Sequence, residues 1–189
     1  RKGFNEFLIK KEYVHLYFDF DSISSAEELK SVFAWLETLT SIFGKFSVGG
    51  YTNNKEINQE FKLEFIDNAH HFISIHVIYY ETMISSKDLL NIMKKTTKGL
   101  HEKVDLNVYK LGTSQVFRHV LSNKIVGKTF TQTAGNILNN LPPSTQIVQV
   151  RGNEKLIEKS EWSKLFKVEE KQKTMKTKPV ENPATKPEN

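Results

Sequence analysis

From Tyr13 the apolar residues Val14, Leu16, Phe18 and Phe20 alternate with His15, Tyr17, Asp19 and Asp21. That period of two predicts a strand over residues 12–21 with unlike faces. Ser25-Ala26-Glu27-Glu28 then reads as a capping box, Ser25 capping and Glu28 reaching back. Leu29, Val32, Phe33, Leu36, Leu39 and Phe43 follow at helical spacing, and Gly44 is a natural terminator. Residues 45–52 predict a second strand, with Gly49-Gly50 marking a bend or turn. Residues 61–66 and 71–80 predict two more, joined through Asp67-Asn68. Ser85-Ser86 caps a helix to about Lys98 that buries Leu89, Leu90 and Met93, and strands follow at Val104–Tyr109 and Val116–Leu121.

The β-α-β-β-α-β order predicts an α+β fold, an RRM-like or ferredoxin-like antiparallel sheet with helices on one face. Past Leu141-Pro142-Pro143 the pattern weakens to a strand at Gln146–Val150 and a short helix over Glu154–Phe166 that buries Leu156, Trp162 and Phe166. From Lys167 the chain is Lys, Glu, Thr and Pro with little to bury, which predicts a disordered linker. The expected division is a core over 1–125, its extension over 126–166 and a tail over 167–189.

The chain has 189 residues, 38% of them hydrophobic, and a formal net charge of +5. That charge is compatible with a polyanionic partner without requiring one. With no cysteine there are no disulfides, thiol nucleophiles or Cys-ligated zinc. No apolar run approaches the ~18 residues of a membrane span, and no signal peptide is visible. The expectation is a soluble intracellular protein without membrane contact, and the start at Arg1 suggests a fragment of a longer chain.

Three sites carry candidate chemistry. Asp19 and Asp21 share a strand face with Cα atoms roughly 7 Å apart, so their carboxylates can converge. Like charges this close call for a proton or a cation, and a divalent ion with hard oxygen ligands resolves them; a solvated turn at Asp21-Ser22 is the plainer reading. In Phe72-Ile73-Ser74-Ile75-His76-Val77, Ser74 and His76 share one face and Ile73, Ile75, Val77 and Tyr79 the other. Such a histidine is either a hydrogen-bonded core residue or a group that binds phosphate or orients a hydroxyl. Asp105, in Val104-Asp105-Leu106, is either a strand-end carboxylate facing water or a third member of the acidic group. Three carboxylates meeting there would hold two divalent ions roughly 3.5–4 Å apart.

Together these residues resemble the archaeo-eukaryotic primase superfamily over about Tyr13 to Lys124. An apolar run ends in Asp19-Phe20-Asp21, Ser74-Ile75-His76 matches a Ser-x-His motif, and Val104-Asp105 matches a hydrophobic-Asp motif. Tyr109, Arg118 and Lys124 fit the primase-polymerase continuation, and the segment looks most like the primase domain of D5-like primase-helicases of large DNA viruses and mobile elements. The resemblance implies a DNA-directed nucleotidyltransferase that makes primers at the site of DNA replication, in either the cytoplasm or the nucleus. Asp19, Asp21 and Asp105 would bind Mg²⁺ or Mn²⁺, His76 with Ser74 would hold nucleotide phosphates, and Arg118 and Lys124 would add positive charge. Its partners would be a single-stranded DNA template, NTPs or dNTPs, and a helicase outside this chain, since no phosphate-loop motif is present. Eighteen residues precede Asp19, where family members carry a further α/β unit.

Two rival readings are a non-catalytic RRM-like single-strand binder, stacking bases on Tyr13, Tyr17, Phe72 and Tyr80, and a rolling-circle nuclease. The latter needs paired metal-binding histidines and a Tyr nucleophile. His70 and His71 are adjacent, and Tyr79 and Tyr80 fall on a predicted strand.

Overall fold

The computed structural model describes residues 5–7, 12–67, 71–109, 116–118, 123–126, 129–132 and 136–169. β1 (Asn5–Phe7) precedes β2 (Tyr13–Ile23), which contains the alternating run. Next come α1 (Ala26–Phe43), β3 (Phe46–Thr52), α2 (Lys55–Phe61), β4 (Glu64–Phe65) and β5 (Ile73–Ser85). α3 (Ser86–Lys95) leads into β6 (Thr96–Lys98), and a 3-10 turn occupies Leu106–Val108. β7 (Val116–Arg118), β8 (Asn123–Val126), β9 (Thr129–Gln132) and β10 (Asn136–Ile137) follow. The described chain closes with β11 (Lys155–Leu156), α4 (Lys159–Trp162) and β12 (Lys167–Val168).

β5 is the axis of the main sheet, with β2 antiparallel along one side and β3 antiparallel along the other. β10 and β4 add to β3, antiparallel and parallel respectively, and β11 pairs parallel with the far end of β5. The fold is therefore α+β with a mostly antiparallel sheet. Alternation assigns its faces. Phe18 and Phe20 point at α1, their rings 4.9 and 6.3 Å from that of Trp35. Tyr79 joins them and donates its hydroxyl to Leu36 O at 2.6 Å. Phe18, Phe20 and Tyr79 are fully buried, and burying a side chain such as Phe contributes about 1.5–3 kcal/mol. Val148, Ile157, Trp162 and Phe166 belong to the same core, so the C-terminal segment packs against the sheet and helices.

Several local expectations hold and others shift for visible reasons. Ser25 caps α1 by accepting the Glu28 N–H at 3.1 Å, and Gly44, at φ 76°, ends it. The Glu28 carboxylate reaches back one residue further than expected, accepting from the Ser24 N–H at 2.8 Å and Ser24 Oγ at 2.9 Å. Gly49 and Gly50 lie inside β3 and make no turn. Of the strand expected at 61–66 only Glu64–Phe65 forms, because Asn54 caps α2 through the Glu56 and Ile57 N–H groups. α3 stops at Lys95, where the backbone turns extended to pair β6 with β12. That pairing also places Lys167–Val168 in a strand where a disordered tail was expected; residues 170–189 lie outside the described part. Val104–Tyr109 is not a strand, and Val116–Arg118 pairs with β1 instead of joining the main sheet. Gln146–Val150 contributes one bridge, Val14 to Gln149, and the helix expected over Glu154–Phe166 contracts to α4. Trp162 and Phe166 are buried as expected, whereas Leu156 is half-buried and its neighbour Ile157 is inside.

Irregular segments cover the outer edge of β2. The His15 N–H donates to Val148 O at 2.9 Å, and Asp19 O accepts from the Asp105 N–H at 2.8 Å. The buried His15 ring is clasped as well, Nδ1 donating to Ile147 O at 2.7 Å while Nε2 lies 3.2 Å from Glu154 Oε1. Glu154 also accepts from the Arg151, Gly152 and Asn153 N–H groups. Burial pushes the Glu154 carboxyl up, but the hydrogen bonds from backbone N–H groups and His15 outweigh it and hold its pKa at about 2.

Candidate metal centre

The face of the sheet opposite α1 gathers the acidic residues. Asp19 lies directly across from His76 on β5, which in turn lies directly across from Gly49 on β3. One row across three strands therefore presents a carboxylate, an imidazole and no side chain. Between Phe20 and Ile23 the pairing slips, so Asp21 and Ser22 together face Ser74. A bulge of this kind re-aims a side chain. Here Ser74 Oγ donates to Asp21 Oδ1 and fixes that carboxylate.

Asp105 reaches the same place without a strand. Its N–H bonds to Asp19 O, while its Oδ1 accepts from the Asn107 N–H at 2.8 Å and from Asn107 Nδ2 at 2.9 Å. Lys103 ties the preceding residues down, its ammonium 2.9 Å from Glu28 Oε1 and 3.4 Å from Ser22 O. That ammonium, with the Ser24 hydrogen bonds, holds the Glu28 carboxyl at about 2. Below the cluster the Tyr109 hydroxyl donates to Tyr17 O at 2.6 Å, and the two rings stack with centroids 5.0 Å apart. Burial, reinforced by Tyr17, Asp19 and Asp105 nearby, raises the Tyr109 pKa well above its usual value, so the phenol stays a neutral donor.

The result is one carboxylate oxygen from each of Asp19, Asp21 and Asp105, all within 4.8 Å of one another. Asp19 is buried, and Asp21 and Asp105 are half-buried. Were all three ionised, each pair would repel by on the order of 3 kcal/mol at an effective dielectric near 20. A set of hard carboxylate oxygens suits a hard divalent cation over softer metals. The three aspartates could hold a metal ion. His76 is buried, and its Nε2 lies 3.4 Å from Asp19 Oδ1.

Of the residues singled out in the sequence, Asp19, Asp21, Asp105, Ser74 and His76 are brought together. The Arg118 and Lys124 backbones stand in β7 and β8, and their side chains lie outside the described part. His71 is an unexpected neighbour, its Nε2 3.7 Å from Asp21 Oδ2. It precedes the first residue of β5, so strand alternation does not govern it, and no period in the sequence signals it. His70 lies outside the described residues. Tyr17, offered as a base-stacking platform, is buried under Tyr109 and has no face for a base. Tyr79 points at α1, away from the acidic cluster.

Among the described residues no helix is long and apolar enough to cross a membrane. No family model matches the chain, and no curated protein matches it.

Proposed function

We propose that this chain is a DNA primase/polymerase domain, a DNA-directed nucleotidyltransferase acting as part of a larger primase-helicase. The observation that carries the reading is the convergence of three carboxylates from two distant segments beside Ser74 and His76. Two-metal phosphoryl transfer needs such an oxygen-rich cradle, open on one side to substrate.

Divalent ions held there would neutralise the triphosphate and make the attacking 3′-hydroxyl more acidic. The protein's own part is positioning. Asp19 and Asp21 are set by one strand and its bulge, and Asp105 by its backbone bond to that strand. Ser74 keeps Asp21 from rotating away. His76, held beside Asp19, would donate to a phosphate oxygen of the incoming nucleotide. Arg118 and Lys124 would add charge around the triphosphate, a role that rests on the sequence resemblance.

The test is incorporation of labelled NTPs or dNTPs on single-stranded DNA with Mg²⁺ or Mn²⁺, with and without a primer. Wild type should yield metal-dependent products that Asp19→Ala/Asp21→Ala abolishes and that His76→Ala lowers by roughly 10²–10³-fold. Metal-independent strand binding by a folded wild type that makes no product would overturn the reading in favour of a binding module.

A further inference from the structure

A strongly charged surface lies outside the carboxylate cluster. α3 ends in Lys94 and Lys95, β6 ends in Lys98, the turn after α4 carries Lys164, and β12 opens on Lys167. All five are exposed, and none is in an ion pair among the described residues. The acids nearby are Glu169, whose N–H donates to Lys95 O at 3.0 Å, and Glu161, which lies 2.7 Å from Lys155 and also feels Lys164.

Lys94 and Lys95 have an ordinary explanation, since cations complement the C-terminal end of a helix dipole. Lys98 and Lys167 do not. They are direct cross-strand partners in the β6–β12 ribbon, and like charges at such positions destabilise the pairing. Nor is the ribbon free to relax. Gly99, at φ 107°, passes so close to Leu165 that a Cβ there would lie 2.1 Å from its carbonyl oxygen. Trp35 Nε1 donates to Gly99 O at 2.9 Å, and Thr97 Oγ1 donates to Lys167 O at 3.1 Å. A rigid ribbon thus holds two ammonium stems side by side against their repulsion.

We propose that the β6–β12 ribbon, with Lys94, Lys95 and Lys164 around it, binds the phosphate backbone of single-stranded nucleic acid. Phosphates would relieve the repulsion between Lys98 and Lys167 and release condensed counterions as they bind. A protein or lipid partner would want apolar anchorage, yet the exposed large hydrophobic residue among those described is Leu106, beside Asp105. The sequence beyond the ribbon continues with Lys171, Lys173, Lys176 and Lys178. From Lys98 seven residues lead to Asp105, a span of at most ~25 Å, so one strand can engage both places. Only the assignment of that strand as template rests on the proposed nucleotidyl transfer.

The experiment measures affinity of the whole chain for a labelled oligothymidylate in EDTA across a salt series. Lys98→Gln/Lys167→Gln should bind more weakly and lower the slope of log K against log salt by about 1.4, two contacts at ~0.7 each. The same variant should melt at or above the wild-type temperature, because the repelling pair is gone. Lys167→Arg, which keeps the charge, should keep the wild-type slope, and so should Asp19→Ala/Asp21→Ala. An unchanged slope in the double-lysine variant overturns the surface and leaves the catalytic reading untouched. So does preferential binding of wild type to anionic phospholipid vesicles without lysine-dependent oligonucleotide binding. An inactive wild type that retains a lysine-dependent slope overturns the catalytic reading alone.

Discussion

At the scale of single residues, Gly50 is a position with little freedom. A Cβ there would lie 2.3 Å from Ser74 O and 2.9 Å from Ile75 Cα, both backbone atoms. Gly50→Ala therefore pushes β5 away from β3 at the residue whose hydroxyl holds Asp21. Denaturant unfolding should show a loss of about 1–3 kcal/mol, and nucleotide incorporation should fall with it. The residues of this site were legible to the extent that they obey local alternation. Asp19 with Asp21, and Ser74 with His76, share faces because a strand has a period of two. Asp105 was legible as a candidate and illegible as structure. Val104, Leu106 and Val108 alternate like a strand, but the Asp105 carboxylate captures the Asn107 N–H and starts a 3-10 turn. A short polar side chain that satisfies its neighbour's backbone competes with strand pairing, and here it wins.

At the scale of elements, the caps written into the sequence mark helix starts well, as Ser25 and Ser85 do for α1 and α3. Ends and pairings depend on distant partners and were harder to read. α3 gives way to β6 because β12 is there to receive it, some seventy residues further along. The outer edge of β2 shows the same dependence, since Val148, Asp105 and Tyr109 bond to it in place of a further regular strand. Glu154 is the charged anchor of this arrangement, and its effect has a definite pH sign. Its carboxyl is held at about 2 in the folded protein, against roughly 4.3 for an unperturbed Glu. The stability it adds is present in full above the unfolded value and is lost as pH falls towards 2. Glu154→Gln should cost about 1–3 kcal/mol at pH 7. Thermal melts taken at descending pH should show the gap between variant and wild type narrowing below about pH 4 and closing near pH 2.

At the scale of the whole molecule, the carboxylate centre exists only when β2 and the segment around Asp105 have met, so ion binding is coupled to the complete fold. A ligand that binds the folded state alone, at one hundred times its dissociation constant, stabilises by about 2.7 kcal/mol. Saturating Mn²⁺ should raise the melting temperature of wild type and leave Asp19→Asn/Asp21→Asn/Asp105→Asn unmoved. Without metal, the triple variant should melt at or above wild type, because three mutually repelling carboxylates are gone. An equal Mn²⁺ shift in both proteins would place the ion elsewhere. The covered edge of β2 has a consequence of a different kind. Val14 to Phe20 is the sort of apolar, extended segment that readily templates a second chain when its amides and carbonyls are bare. Along its outer edge the His15 N–H donates to Val148 O, Tyr17 O accepts from the Tyr109 hydroxyl and Asp19 O accepts from the Asp105 N–H. The bond that holds the site's third aspartate against β2 therefore also shields part of this edge from pairing with a second copy.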